Sequence, residues 1–450
     1  MWERRPPTDE ASRGLLPSTH MPTRRGFLLG GATAALSVAL AGSDTSISPM
    51  LPTPASDQAD WPAQASFGRP RPNATPSFGP NGTHWPQDTP WLNDAVGRQI
   101  DVECSWAALT QALKSITPAD AANGVRIRLA PGQLIGLGGG GRGRPVLKDV
   151  GSASWEQRVL VVPRDGYGSV RIEGSAKIEA VQRVCFAQLL ADELTLSACT
   201  GSAVCWSTLR GWIIYGLARG PGSVTEACDL YEVVVDAPHV STADATGLGS
   251  GYTKESGGPA DGNGWLRNCR IVGCYTGPRW RPRGSTAHLD TCQLYGAGIY
   301  YGFAFVDSAI WGSNNCALQV GGLPDAYAPH LPLDAAPTVL EHCLLVGPKT
   351  SAATRYPLPV GAGAPQLNQA INGSGAPLGM AARDSIFAGT VYPSTWSSVT
   401  ATQIPAPRPG ARVLNGAWSV EPTLLNPSKA YFDLISPRPT SSYLRAVWAH

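Results

Sequence analysis

The sequence predicts an all-β fold in which parallel strands wind as a solenoid. The first observation is a repeat. An eight-residue pattern recurs in LRNCRIVG (266–273), LDTCQLYG (289–296), FVDSAIWG (305–312), LEHCLLVG (340–347) and ARDSIFAG (382–389), with VCWSTLRG (204–211) as a looser copy. The second is alternation: position four is Cys or Ser and position six usually Ile or Leu, while positions five and seven are mixed, as two faces of a strand require. The third is composition. Gly (51) and Pro (40) supply many turns, and a chain that is 43% hydrophobic and 15% charged buries a large core. Position three is Asn, Thr, Asp or His and is expected in a tight bend, which suits Asn, Asp and Thr because they bond their own backbone. Stacked coils lay like over like, so Cys269, Cys292 and Cys343 are expected in one interior column with Ser308 and Ser385. Gly-to-Gly spacings of 23, 16, 35 and 42 suit a three-sided coil with loops, although 16 is too short for a full turn.

The elements follow in order. Residues 21–42, MPTRRGFLLGGATAALSVALAG, place a basic pair before an apolar run that closes on Ala39-Leu40-Ala41, the order of an export signal. Residues 1–41 are read as the signal peptide, with Met21 as an alternative start. Residues 42–99 are rich in Pro, Gly and Ser and read as a linker or surface arm. Trp61, Phe67, Phe78 and Trp85 give part of that arm something to pack. The stretch from Ser105 to Ile116 is apolar at 106, 109, 113 and 116, which predicts an amphipathic helix. Val125–Gly132 then alternates as a strand and ends in Pro-Gly. The solenoid is expected over 100–435 and a tail over 436–450.

These features resemble the right-handed parallel β-helix superfamily, the pectin-lyase-like fold, with a short N-terminal capping helix. Tyr431–Pro437 resembles the closing segment of many such chains. Thr23–Leu28 resembles the twin-arginine export motif, which implies export to the periplasm or beyond through the twin-arginine machinery. Enzymes of this superfamily bind sugar chains along an exterior groove walled by loops, and the resemblance carries that expectation here.

Ten cysteines in an exported chain ordinarily suggest disulfides. The interior column argues instead for buried free thiols, which behave as small apolar groups. Cys199/Cys205 and Cys269/Cys274 are the pairs left open to bridging. No Cys or His spacing suits zinc, so no metal is assigned, and calcium stays open with no ligand set. The formal charge of +2 gives no case for nucleic acid, and nothing beyond the signal suits a membrane. Gly138–Gly141 lacks the Lys-Ser/Thr of a phosphate loop, and no Gly-x-Ser-x-Gly elbow occurs.

Three stretches carry candidate chemistry. In 274–288, Arg279, Arg281 and Arg283 alternate around Trp280, and an extended chain would put the three guanidinium forks on one face, suited to uronate carboxylates. His288 follows. The Gly-rich stretch 236–265 carries Asp236, Asp244, Lys254, Glu255 and Asp261. In 297–315, Tyr300 and Tyr301 are expected to stack on sugar rings. Lys254, Glu255, Arg281 and His288 are the expected catalytic residues, Arg279, Trp280, Arg283, Tyr300 and Tyr301 the expected sugar contacts, and Asp236, Asp244 and Asp261 the reserve acids. The favoured function is an exported polysaccharide-active enzyme, a uronate lyase ahead of a glycoside hydrolase with paired carboxylates. The other class is a non-catalytic glycan-binding or adhesin-like solenoid.

Overall fold

The computed structural model describes residues 78–449, apart from 139–142, 218–223, 252–263, 297–298, 322–330, 374–377, 393–394, 408–411 and 414–415. The expected export signal, with Trp61 and Phe67, lies outside the described residues. Every strand ladder among the described residues is parallel and joins one coil to the next, the arrangement of a parallel β-helix. Twelve strands, from Arg98–Val102 to Arg412–Val413, stack in sequence order as one flank. The remaining flanks are joined by strands that bend from one to the other. Thr208–Leu217, for example, pairs with Val234–Val235 at its start and with Thr246–Gly251 along its length. Alternate residues of all flanks meet inside in one continuous core, which includes Phe186, Leu230, Ile271, Phe305 and Leu340.

The corners explain the repeat. At the exit of the twelve-stranded flank, Trp206, Glu232, Gly273, Asp307, His342, Asp384 and Ala401 all have φ between 46° and 62°. This left-handed conformation costs a non-glycine residue roughly 1–2 kcal/mol. The residue that follows helps to offset it. Ser308 Oγ donates to the Val306 carbonyl (2.8 Å) and accepts from the Cys274 N–H of the preceding coil (3.0 Å). Ser385 does the same with Arg383 (2.9 Å) and Cys343 (3.0 Å). Cys274 donates to Val272 (3.6 Å) and accepts from Val233 (3.4 Å). A small side chain bearing an O–H or S–H therefore suits this corner, Val233 after Glu232 being the exception, and Asn, Asp or His before it tolerates the positive φ.

This corrects the expected column. Cys343 does stack with Ser308 and Ser385, and the spacings of 35 and 42 are each one coil. Cys269, however, follows Asn268 at the entry corner of the same flank, in a column with Cys228. Cys292 is at neither corner. It lies within the strand Asp290–Gly296, opposite Thr246 and Leu318. Both corners have the same backbone geometry and so select the same residues, which makes two columns look like one. The spacings of 23 and 16 run between unlike positions. All ten cysteines are free thiols, and all but Cys104 are buried.

A helix, Trp106–Lys114, begins at Ser105, whose side chain accepts from Ala108 N–H (3.1 Å), and sends Leu109, Ala112 and Leu113 into the core. The outer face of the twelve-stranded flank is covered. Phe78 and Trp85 of the arm, together with Leu424, Phe432, Leu444 and Trp448 near the C-terminus, pack on Leu160, Cys205, Tyr231, Val272 and Val306 as a second core. The segment expected as a tail thus contains a helix, Ser441–Val447, and buried anchors. Polar moorings fix the arm. Asp88 binds Arg158 (2.6 Å) and Arg183 (2.9 Å), and Arg158 reaches the buried Asp229 (2.9 Å). Glu232 accepts from the N–H groups of Gly82, Thr83 and His84, from the Trp448 indole (2.8 Å) and from His84 Nδ1 (2.7 Å). His84 Nε2 lies 2.8 Å from Asp307, whose other oxygen meets His342 (2.7 Å).

Candidate active site

Another flank carries a polar column. Parallel pairing aligns Trp212, Thr246, Cys292 and Leu318 on successive coils. Two residues before each stand Arg210, Asp244, Asp290 and Cys316, and the register of the preceding coil puts Asp192 before Arg210. Charged groups therefore stand at this position on four successive coils, Asp192, Arg210, Asp244 and Asp290.

Asp290 is fully buried and firmly held. Its Oδ1 accepts from Asn315 Nδ2 (2.6 Å) and Cys316 Sγ (2.9 Å), and its Oδ2 lies 3.2 Å from His288 Nδ1. That carboxylate raises the pKa of His288 above its ordinary value, against the opposing effect of partial burial. The imidazole is still 59% exposed. The Asp290 backbone N–H donates to Asp244 Oδ1 (2.8 Å). Burial, reinforced by the neighbouring Asp290 charge, pushes the Asp244 carboxyl up to about 6. A histidine buttressed by a buried carboxylate thus lies near an acid that holds its proton into the mildly acidic range. Two groups whose environments shift them toward neutrality make a proton-transfer pair.

Arg279 frames this arrangement. It is buried, and its guanidinium donates to the carbonyls of Asp244 (2.6 Å) and Arg210 (2.7 Å). Gly211 leaves room for it, since a Cβ there would sit 2.5 Å from Arg279 Nη2. The expected sugar contact is therefore a brace between two coils. The three arginines do not share a face. Arg279 is buried, Arg281 half-buried and Arg283 exposed, because the segment is pinned through Arg281 N–H to Asn314 (2.5 Å) and through Arg283 N–H to Gly361 (2.7 Å). Trp280 is fully buried in the second core, which removes it as a stacking surface. Tyr300 and Tyr301 are buried as well, and the Tyr300 hydroxyl donates to the Gly321 carbonyl, so both serve packing rather than sugar contact. Asp236 is bound by the Tyr356 hydroxyl (2.8 Å) and Arg438 (2.5 Å), which occupies both of its oxygens. Lys254, Glu255 and Asp261 lie outside the described residues.

The structure thus brings together Asp244, Arg279 and His288 of the expected set and adds Asp290, Asn315 and Arg210. Asp290 is in plain view in LDTCQLYG but reads there as a repeat position. The signal for it is the recurrence of Asp two residues before the aligned Thr246 and Cys292.

No family model matches the chain, and no curated protein matches it. Solved structures do. An alginate lyase from Paenibacillus sp. is 13% identical with a TM-score of 0.36, over 72% of this chain and 99% of its own. A PL6 family polysaccharide lyase from Pseudopedobacter saltans is 10% identical with a TM-score of 0.22, over 77% and 89%. The mannuronan C-5 epimerase A-module of Azotobacter vinelandii is 12% identical with a TM-score of 0.24, over 70% and 91%. The site stands on this chain's own residues.

Proposed function

We propose that the protein is an exported uronate polysaccharide lyase that acts at the Asp244–His288–Asp290 cluster. The observation that carries the reading is the exposed His288 ring set against the buried Asp290, beside the raised carboxyl of Asp244. In this scheme His288 removes the C5 proton of a uronate, the electron pair forms the C4–C5 double bond, and the C4–O4 bond breaks. Asp244 supplies the proton to the departing oxygen. Arg281 and Arg283, on the segment pinned beside Asn314, neutralise the uronate carboxylate as charge builds on it. Hydrolysis needs two reachable carboxylates, and among the described residues of this cluster Asp244 alone is one. Asp290 is buried, and Asp236 is occupied by Tyr356 and Arg438.

The test is a panel of uronate polysaccharides followed by ultraviolet absorbance of the unsaturated product. Absorbance that disappears in His288→Gln supports the lyase. New reducing ends without absorbance would turn the reading to hydrolysis, and silence in both assays would turn it to glycan binding.

A further inference from the structure

One coil before the cluster, the same flank holds a cavity of about 240 Å³ lined by Arg171, Leu190, Asp192, Thr208, Arg210 and Asp236. We infer that this cavity is a subsite for a carboxylate-bearing sugar of the polymer that the Asp244–His288 cluster acts on, with Arg210 as the carboxylate's partner. The inference rests on the lyase reading for the reaction but on separate residues for the binding.

Four observations carry it. The first is charge. Arg171 is taken up by Asp192 at 2.9 Å, and Asp236 by Tyr356 and Arg438. Arg210 is left 64% exposed and 3.9 Å from Asp192, beyond hydrogen-bond reach. Its guanidinium fork therefore has donors to spare on the cavity wall, and such a fork matches a carboxylate through two parallel bonds. The second is size. Pockets for drug-sized ligands take about 300–1,000 Å³, so this one suits a single sugar ring rather than several. The third is lining. The half-buried Leu190 gives an apolar surface beside the charges, as the face of a pyranose requires. The fourth is continuity. Arg279 bonds both the Arg210 and Asp244 carbonyls, so the cavity and the cluster share a wall. Arg210 and Asp290 stand two coils apart, about 10 Å at the usual strand spacing. A polymer lying along the axis would fill the cavity with one unit while presenting a nearby one to His288.

Titration calorimetry tests the binding without turnover, using hexamers of mannuronate and of galacturonate with cellohexaose as the neutral control. The wild-type chain is expected to bind at least one acidic hexamer and not the neutral one. Arg210→Gln is expected to weaken that binding at least tenfold, and Arg210→Lys less. On polymer, Arg210→Gln should raise KM more than it lowers kcat. The side chain is exposed, so an unchanged melting temperature separates this effect from misfolding. An unchanged Kd and KM in Arg210→Gln while unsaturated product still forms would overturn the subsite and leave the lyase standing. Acidic-hexamer binding that depends on Arg210 in a chain that makes no unsaturated product would keep the subsite and remove the lyase. Equal binding of cellohexaose would also overturn the subsite.

Discussion

Two outer faces of the solenoid are built from the same coils and treated in contrary ways. On the twelve-stranded flank the arm and the C-terminal segment cover much of the surface, and the carboxylates beneath them are buried and matched: Asp229 with Arg158 and Arg270, Glu232 with His84 and Trp448. On the other flank the charged column is reachable from solvent at Arg210 and His288, and Asp244 is shifted to about 6. A buried charge with every partner in place holds structure together. A half-buried one beside a like charge keeps a proton ready to move. The covered flank is where substitution should cost stability, and the open flank is where it should cost activity.

The largest effect is expected at Glu232. Glu232→Ala removes an acceptor of several buried hydrogen bonds and leaves their donors unpaired, so unfolding in urea should show a loss of about 3–5 kcal/mol. The arm should then become sensitive to protease. On the open flank the effect should be chemical rather than structural. His288→Gln should lower turnover by about 10²–10⁴-fold with an unchanged urea midpoint. A stability loss there equal to that of Glu232→Ala would erase the distinction between the flanks.

Titration sharpens the contrast. The Glu232 carboxyl is held below its ordinary value by His84 and Trp448, despite the opposing effect of burial. Its stabilisation is therefore present above the unfolded-state pKa and lost as pH falls through the lowered folded one. Asp244 has the opposite sign. Its folded pKa lies above the unfolded one, so it favours the folded state at low pH and loses that contribution as pH rises toward about 6. Because His288 must be neutral while Asp244 keeps its proton, activity should rise up to about 6, level off, and decline only above the raised value of His288, and Asp244→Asn should remove that alkaline decline. A smaller effect is expected at the corners. Ser385→Ala should cost about 1–2 kcal/mol, because the Cys343 N–H loses its acceptor. The smallest is expected at Arg128→Ala, which breaks a surface pair with Asp101 worth about 0–1 kcal/mol.

Much of the architecture is legible in the sequence because corner chemistry is local. A positive-φ residue followed by a small donor shows itself within a few positions, which is why Asp307-Ser308 and Asp384-Ser385 read correctly as bends. The same locality hides which corner is being read. Asn268-Cys269 satisfies the same geometry at the other end of the strand, and only the full coil length, blurred by loops, tells the two apart. The site is legible in part. Asp244 and His288 stand out as residue types in long loops, but their pairing through Asp290 depends on coil register. Trp280, Tyr300 and Tyr301 look like sugar platforms in sequence, and only burial shows that they are not. Glu232 gives no signal, since the residues it holds lie roughly 150 positions upstream and 216 downstream.

The His84 contact has a consequence for how such a chain can change length. The imidazole spans from Glu232 to Asp307 and passes over Gly273, the intervening corner, where a Cβ would sit 2.4 Å from Nδ1. Solenoids readily grow or shrink by whole turns, but a ring of fixed width cannot bridge one turn more or one fewer. The arm therefore works as a gauge, and over this stretch the number of turns is locked by a single side chain.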